Sequence, residues 1–217
     1  PKSTVFGLLT TMRAYDVITQ TPEGKYALGL RLFEYGRQVE RKWDISRVAR
    51  PYMEHLSQRT GASVMLSICE GGSVITLDQV EARDKLRIVS DAGARLPIYC
   101  TSQGKVFLAH MPRAQAEKLL RRQSMTQFTP HTITDVSALL QEVDACRTDG
   151  FAIENGEYKI GLRSISAPVY TVDRTVRYTV GVIGMFRSTH SDEFRSAVEQ
   201  VCATAAMISA ALGYREA

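Results

Sequence analysis

Thr101 and Ser102 stand where a loop enters a helix, in the run Thr101-Ser102-Gln103-Gly104-Lys105. The first N–H groups of a helix have no intrahelical partner, and the helix dipole favours an anion beside them. That is a place where a small anion could be held on backbone amides. The same two hydroxyls would equally suit an ordinary helix cap. The run is no phosphate-binding P-loop. Tyr99 occupies the position of the leading glycine, and Val106 stands where a magnesium-binding Ser or Thr belongs. His55, His110, His131 and His190 show no metal-ligand spacing with one another or with Cys69, Cys100, Cys146 and Cys202, so no metal site is expected. Cys100 with His110 could supply a nucleophile and a base, although a buried inert thiol would look the same. Lys118, Arg121 and Arg122 close a helix and suit its negative end.

A second chemistry lies at the start of the chain. Pro1 to Arg13 reads PKSTVFGLLTTMR, and Pro suits a first helical turn. Val5, Leu8, Leu9 and Met12 recur at helical spacing. The opposite face carries Lys2, Ser3, Thr4, Thr10, Thr11 and Arg13, cations and short hydroxyls of the kind that bond phosphates and base edges. An amphipathic surface helix would have the same pattern. Tyr15 to Thr19 and Tyr26 to Leu28 read as short strands around the turn Thr21-Pro22-Glu23-Gly24-Lys25. Helix then hairpin is the second half of a winged helix-turn-helix, with Lys25 at the wing tip. Two more helices are expected before residue 1. The charge agrees: residues 1–50 hold nine Lys/Arg against five Asp/Glu, and the remaining residues hold 18 of each. The whole net charge of +4 therefore lies in the first quarter, although so few charges could also be a solvated face.

Length and composition allow a substantial core, with 44% apolar and 23% charged residues. No apolar run approaches the roughly 18 residues of a membrane span, and no leader pattern is visible. Four widely spaced cysteines without a CxxC suggest free thiols in a reducing cytoplasm.

The elements that must position these groups follow from periodicity. Residues 28–43 form a helix with Leu28, Leu32, Tyr35 and Val39 on one face, joining the hairpin to the next domain. Asp44 caps a helix running to about Thr60, which Gly61 ends. Ala62–Cys69 and Ser73–Val80 make a hairpin across Glu70-Gly71-Gly72, and Leu86–Val89 is a third strand candidate. Residues 91–97 read as loop. Helices are expected over 101–111, 112–122 and 136–149, and strands over 151–153, 164–172 and 176–186. A long helix over 191–213 closes the chain. Hairpins with helices grouped between and after them argue an α+β domain with a mostly antiparallel sheet. Helices cover one face, and the other, under the 91–105 and 151–163 loops, can cup a small ligand.

Together these segments resemble the IclR family of bacterial transcription regulators over essentially the whole chain. KSTVFGLLTTM with the T-P-E-G-K-Y-A-L-G-L wing is similar to the family's reader. Gly93-Ala94-Arg95-Leu96-Pro97 before Thr101-Ser102-Gln103-Gly104-Lys105 resembles its G-x-x-x-P…T-S/A-x-G-K stretch. Gly150 to Asp173 resembles its most diagnostic stretch through Gly150, Glu157, Ser164, Ile165, Ser166 and Val169. Glu154 replaces a usual Asp or Ser, and Thr171 a usual Asp or Asn.

The resemblance implies the C-terminal part of a winged helix-turn-helix (1–28), a linker helix (29–43) and a GAF/profilin-like effector-binding domain (44–217). It implies no enzyme and no cofactor. The partners it implies are a double-stranded DNA operator, a small organic effector and a second copy of the chain, as a homodimer or homotetramer. DNA contacts would fall to Lys2, Ser3, Thr4, Thr10, Arg13 and Lys25. Effector contacts would fall to the Ser102 and Gln103 amides, to Glu154 and Ser164, and to Gly181 and Ile183, with Ile88, Leu96 and Leu162 as apolar wall. Relatives of this kind that take very small keto acids carry hydroxyls at the two late-strand positions. Gly181 and Ile183 would open space at one point and add apolar area at the other, favouring a larger or aromatic acid. Arg163 could pair with Glu154, with Glu157 or with a ligand carboxylate. A small-molecule hydrolase or transferase using Cys100 or the Glu154/Glu157 pair is the alternative, and a purely structural oligomerisation module a third.

Overall fold

The computed structural model describes residues 1–42, 45–82 and 93–215. The chain divides into two compact units, Pro1–Ile45 and Ser46–Ala217.

In the first unit, helix α1 (Lys2–Ala14) leads into the antiparallel hairpin β1 (Ile18–Gln20) and β2 (Tyr26–Leu28). The turn closes because the Thr21 N–H donates to the Lys25 carbonyl at 2.8 Å and the Gly24 N–H to the Thr21 carbonyl at 2.9 Å. Gly24 sits at φ +79°, a backbone state that favours glycine. Helix α2 (Leu30–Lys42) follows.

The second unit opens with α3 (Ile45–Thr60), which Gly61 ends at φ +61°. Strands β3 (Ser63–Glu70) and β4 (Ser73–Val80) form the expected hairpin. Strand β5 (Arg95–Pro97) pairs with β4 at the sheet edge. Helices α4 (Ser102–Ala109), α5 (Arg113–Arg122) and α6 (Val136–Asp149) come next. Strands β6 (Ala152–Asn155), β7 (Arg163–Tyr170) and β8 (Val176–Gly184) precede the closing helix α7 (Asp192–Ala211). The six strands lie in the order β5-β4-β3-β8-β7-β6, antiparallel at every pairing.

Two expectations change here. Residues 95–97 are strand rather than loop, because Arg95, Leu96 and Pro97 pair with Ile75, Val74 and Ser73 on the free edge of β4. Helices also cover more than one face. Ser164 to Val169 of β7 are buried without interruption, which a half-covered strand does not allow. Ile165, Ala167 and Val169 face α7, where Phe194, Val201, Ala205 and Ile208 are buried. Ser164 and Ser166 face α4, so the side expected to lie open under loops carries a helix. The Leu86–Val89 candidate and Asp44 lie outside the described residues.

Candidate functional site

Helix α4 is buried along its whole length, and each residue of its leading motif has a separate job. Thr101 caps it: its Oγ1 accepts from the Gly104 N–H at 3.2 Å and donates to the Pro97 carbonyl at 2.9 Å. Gly104 is required because a Cβ there would collide with the Ile98 carbonyl. Lys105 is 1% exposed, with Nζ at 2.5 Å from Glu157 Oε1, 2.6 Å from Glu142 Oε2 and 3.2 Å from the Ile153 carbonyl. All three ammonium protons have an acceptor, as a buried charge needs.

Ser102 does not cap. Its Oγ lies 2.8 Å from Ser164 Oγ and 2.8 Å from Ser166 Oγ, pinning the start of α4 to β7. Ser164 donates to Glu154 Oε2 at 3.2 Å. Glu154 Oε1 accepts the Glu157 N–H at 2.5 Å and the Tyr158 N–H at 3.1 Å. Gln103 is buried as well, with Nε2 3.6 Å from Met65 Sδ. Register puts these groups on one sheet face, since Glu154 pairs with Ser164, Ser166 with Gly181, and Gly181 with Met65. Two further hydroxyls share that face. Ser67 and Thr179 are register neighbours, fully buried, with no hydrogen-bond partner among the described residues. The result is a polar sheet floor beneath the N-terminus of a helix.

The turn after Glu154 is held from every side. Thr129 Oγ1 donates to the Gly156 carbonyl at 2.6 Å and Thr132 Oγ1 to the Glu157 carbonyl at 2.6 Å. Burial raises the pKa of Glu154 above its ordinary value, against the pull of the two amides. Burial likewise raises Glu157, against the attraction of Lys105. Burial pushes the Cys100 thiol up to about 12, aided by Glu157 and Glu154, so thiolate chemistry is suppressed. The Glu154/Glu157 pair is likewise engaged in holding backbone and lysine. Neither feature favours the hydrolase or transferase alternative.

The expected site residues divide. Ser102, Gln103, Glu154, Ser164 and Gly181 come together. Ile183 pairs with Ser164 in register and lines a cavity of about 290 Å³ with Thr60, Gly61 and Phe186. Leu96 sits in β5 against the apolar cluster of α4, α5 and α6, and Leu162 is half-buried in the 156–162 turn. Ile88 lies outside the described residues. Gly181 opens no space, because a Cβ there would run into Ser166 Oγ and the Ile165 carbonyl. Arg163 pairs with neither Glu154 nor Glu157; its Nη1 donates to the Phe186 carbonyl at 2.5 Å. Ser166 was missed as a site residue. Its alternation with Ser164 on a strand was the signal available.

In the first unit, α1 buries none of its residues. Val5, Leu8 and Met12 are exposed on one side and Lys2, Ser3 and Thr4 are exposed as well. Thr10 Oγ1 donates back to the Phe6 carbonyl at 2.9 Å, and Arg13 Nη1 donates to Gln20 Oε1 of β1 at 2.7 Å. Lys25 stands in the hairpin turn.

An antiparallel sheet of six strands among the described residues, with a helix N-terminus over a polar floor, is the α+β architecture of an effector domain. The family described as bacterial transcriptional regulator IclR, C-terminal, matches residues 37–210. The chain belongs to the IclR family of transcriptional regulators. It is 32% identical to the HTH-type transcriptional regulator XynR of Escherichia coli over 214 residues, 98% of this chain and 85% of that protein. The HTH-type transcriptional regulator KipR of Bacillus subtilis is 27% identical over 99% of this chain and 86% of its own. Among solved structures, the IclR of Thermotoga maritima superposes with a TM-score of 0.78 at 26% identity, over 98% of this chain and 86% of that one. An IclR homologue from Microbacterium hydrocarbonoxydans, solved in complex with 4-hydroxybenzoate, shares the fold with a TM-score of 0.80 at 23% identity, over 98% and 86% of the two chains. Among the described residues, no helix is long and apolar enough to cross a membrane.

Proposed function

We propose that the chain is an effector-responsive regulator in which residues 1–28 complete a winged helix-turn-helix, 29–43 link, and 44–217 bind the effector. A metabolite carboxylate or carbonyl rests on the Ser102 and Gln103 amides, with Glu154 and Ser164 serving a second polar group. The observation that carries this reading is the buried Ser102–Ser164–Glu154 constellation at a helix N-terminus, on a sheet face with two unpartnered hydroxyls. The 4-hydroxybenzoate of the Microbacterium relative, together with Glu154 beside the site, supports an aromatic acid that also carries a donor. Binding acts on DNA affinity through its differential affinity for two arrangements of the assembly. Lys2 and Arg13 contact operator DNA from α1, and Lys25 from the wing.

Operator titration of the full-length protein tests this. Lys2→Ala and Arg13→Ala should each weaken binding, and each lost phosphate contact should lower the log–log salt slope by about 0.9. Ser164→Ala should shift the effector dose–response while leaving effector-free binding intact. Unchanged affinity and slope in both α1 variants contradict the reader assignment.

A further inference from the structure

We propose that the hydroxyls of Ser166, Ser102 and Ser164 donate in a single direction that ends on the Glu154 carboxylate, so that an effector meets Ser166 as a hydrogen-bond acceptor and is held there through a hydroxyl or amino group. This rests on the effector site proposed above, with the acid end of the ligand on the α4 amides, and refines it: the ligand's donor meets Ser166, and Glu154 and Ser164 serve it through the relay rather than by direct contact.

Counting protons gives the direction. An ionised carboxylate only accepts, and each serine has one proton. Two backbone N–H groups engage Glu154 Oε1 and favour the charged form against the burial that raises its pKa, and the count is that of the charged form. The single proton of Ser164 goes to Glu154 Oε2. Ser164 therefore accepts from Ser102, 2.8 Å away. Ser102 then has no proton left and must accept from Ser166, also 2.8 Å away. The Ser102–Gln103 Oε1 contact, at 3.5 Å, is too long to compete. Ser166 thus ends the chain with its proton engaged and lone pairs free. No serine proton remains for an anionic group, and the donors left to a ligand acid are the first amides of α4. Ser166 is in this sense a specificity-determining residue, and Glu154 a positioning residue that acts through two serines.

Glutamine at 154 reverses the count. Its oxygen can keep the two amides while its NH₂ donates to Ser164, which turns Ser102 and Ser166 round and presents a proton to the ligand.

Two measurements on the intact protein test the proposal. Calorimetric titration with para-substituted benzoates keeps the acid constant and varies the far group. 4-Hydroxybenzoate and 4-aminobenzoate should bind at least tenfold tighter than 4-fluorobenzoate. Ser166→Ala should reduce that preference to within twofold, and Glu154→Gln should abolish or invert it. Equal binding by the wild type, or a preference that survives Ser166→Ala, overturns the assignment. The second measurement needs no ligand. No bond joins Ser166 to Glu154 directly, so a double-mutant cycle of Ser166→Ala with Glu154→Gln reads the chain between them. The double variant should depart at least threefold from the product of the two single effects on the unfolding equilibrium constant. A cycle that multiplies overturns the relay whichever benzoate binds. A coupled cycle with no benzoate bound upholds the relay and overturns the aromatic-acid reading.

Discussion

Glu154 shows how little a residue's type says about its use. Its position suggested a ligand contact, yet its carboxylate first builds the site by holding the Glu157 and Tyr158 amides and the Ser164 hydroxyl. Burial raises its pKa from the ordinary 4.5. The folded protein therefore keeps this proton to a higher pH than the unfolded chain does. Between 4.5 and the raised value the native state binds more protons, so this group's contribution to stability falls as pH rises. Urea unfolding of the wild type and of Glu154→Gln from pH 4 to 7 checks the sign. The stability of the wild type relative to the variant should decline as pH rises through that window. A relative stability that rises with pH would contradict the burial argument.

At the scale of elements, α4 is the part on which the site depends, and Lys105 seats it. Lys105→Ala leaves the Glu157 carboxylate buried without its cation, a loss of about 3–5 kcal/mol by the cost of breaking buried pairs. Lys105→Met should recover little of that loss, because it restores the shape but leaves the charge uncompensated. Denaturant unfolding reads both, and a loss below about 1 kcal/mol would mean that the pair does not hold α4 in place. The sequence made much of this element legible. Thr101 and Ser102 marked its start, and α6 spans the expected 136–149, where Asp135 accepts from the Ala138 N–H at 2.7 Å and Gly150 adopts φ +79°. What stayed hidden depended on partners distant in sequence. Periodicity made 91–97 a loop, because three residues on a sheet edge show no alternation of their own. Nothing local to Gly181 revealed that Ser166, on the next strand, fills its space. Ser166 lay outside the expected site because its partner, Ser102, is 64 residues away.

Residues 1–50 carry the whole net charge of +4 and the remaining residues balance to zero, which suits the reader-and-sensor division proposed above. Helix α2 leaves Leu30, Leu32, Phe33 and Tyr35 exposed, a larger apolar surface than one helix keeps bare in water. The full-length protein should therefore sediment as a dimer or larger at micromolar concentration, and Leu32→Glu with Tyr35→Glu should lower its mass. A wild-type monomer would remove this helix as an assembly surface. The central claim, that a small organic acid is held at the start of α4 over the serine floor, has a more direct test. Thermal unfolding of the wild type and Ser164→Ala is followed with hydroxybenzoates and small keto acids, all at one fixed high concentration. At least one should raise the wild-type Tm, by roughly 5–10 °C where that concentration is about 100 times its Kd, the equivalent of about 2.7 kcal/mol of added stability, and Ser164→Ala should lose most of that rise. No rise with any of them, or the same rise at the same concentration in Ser164→Ala, would contradict the account.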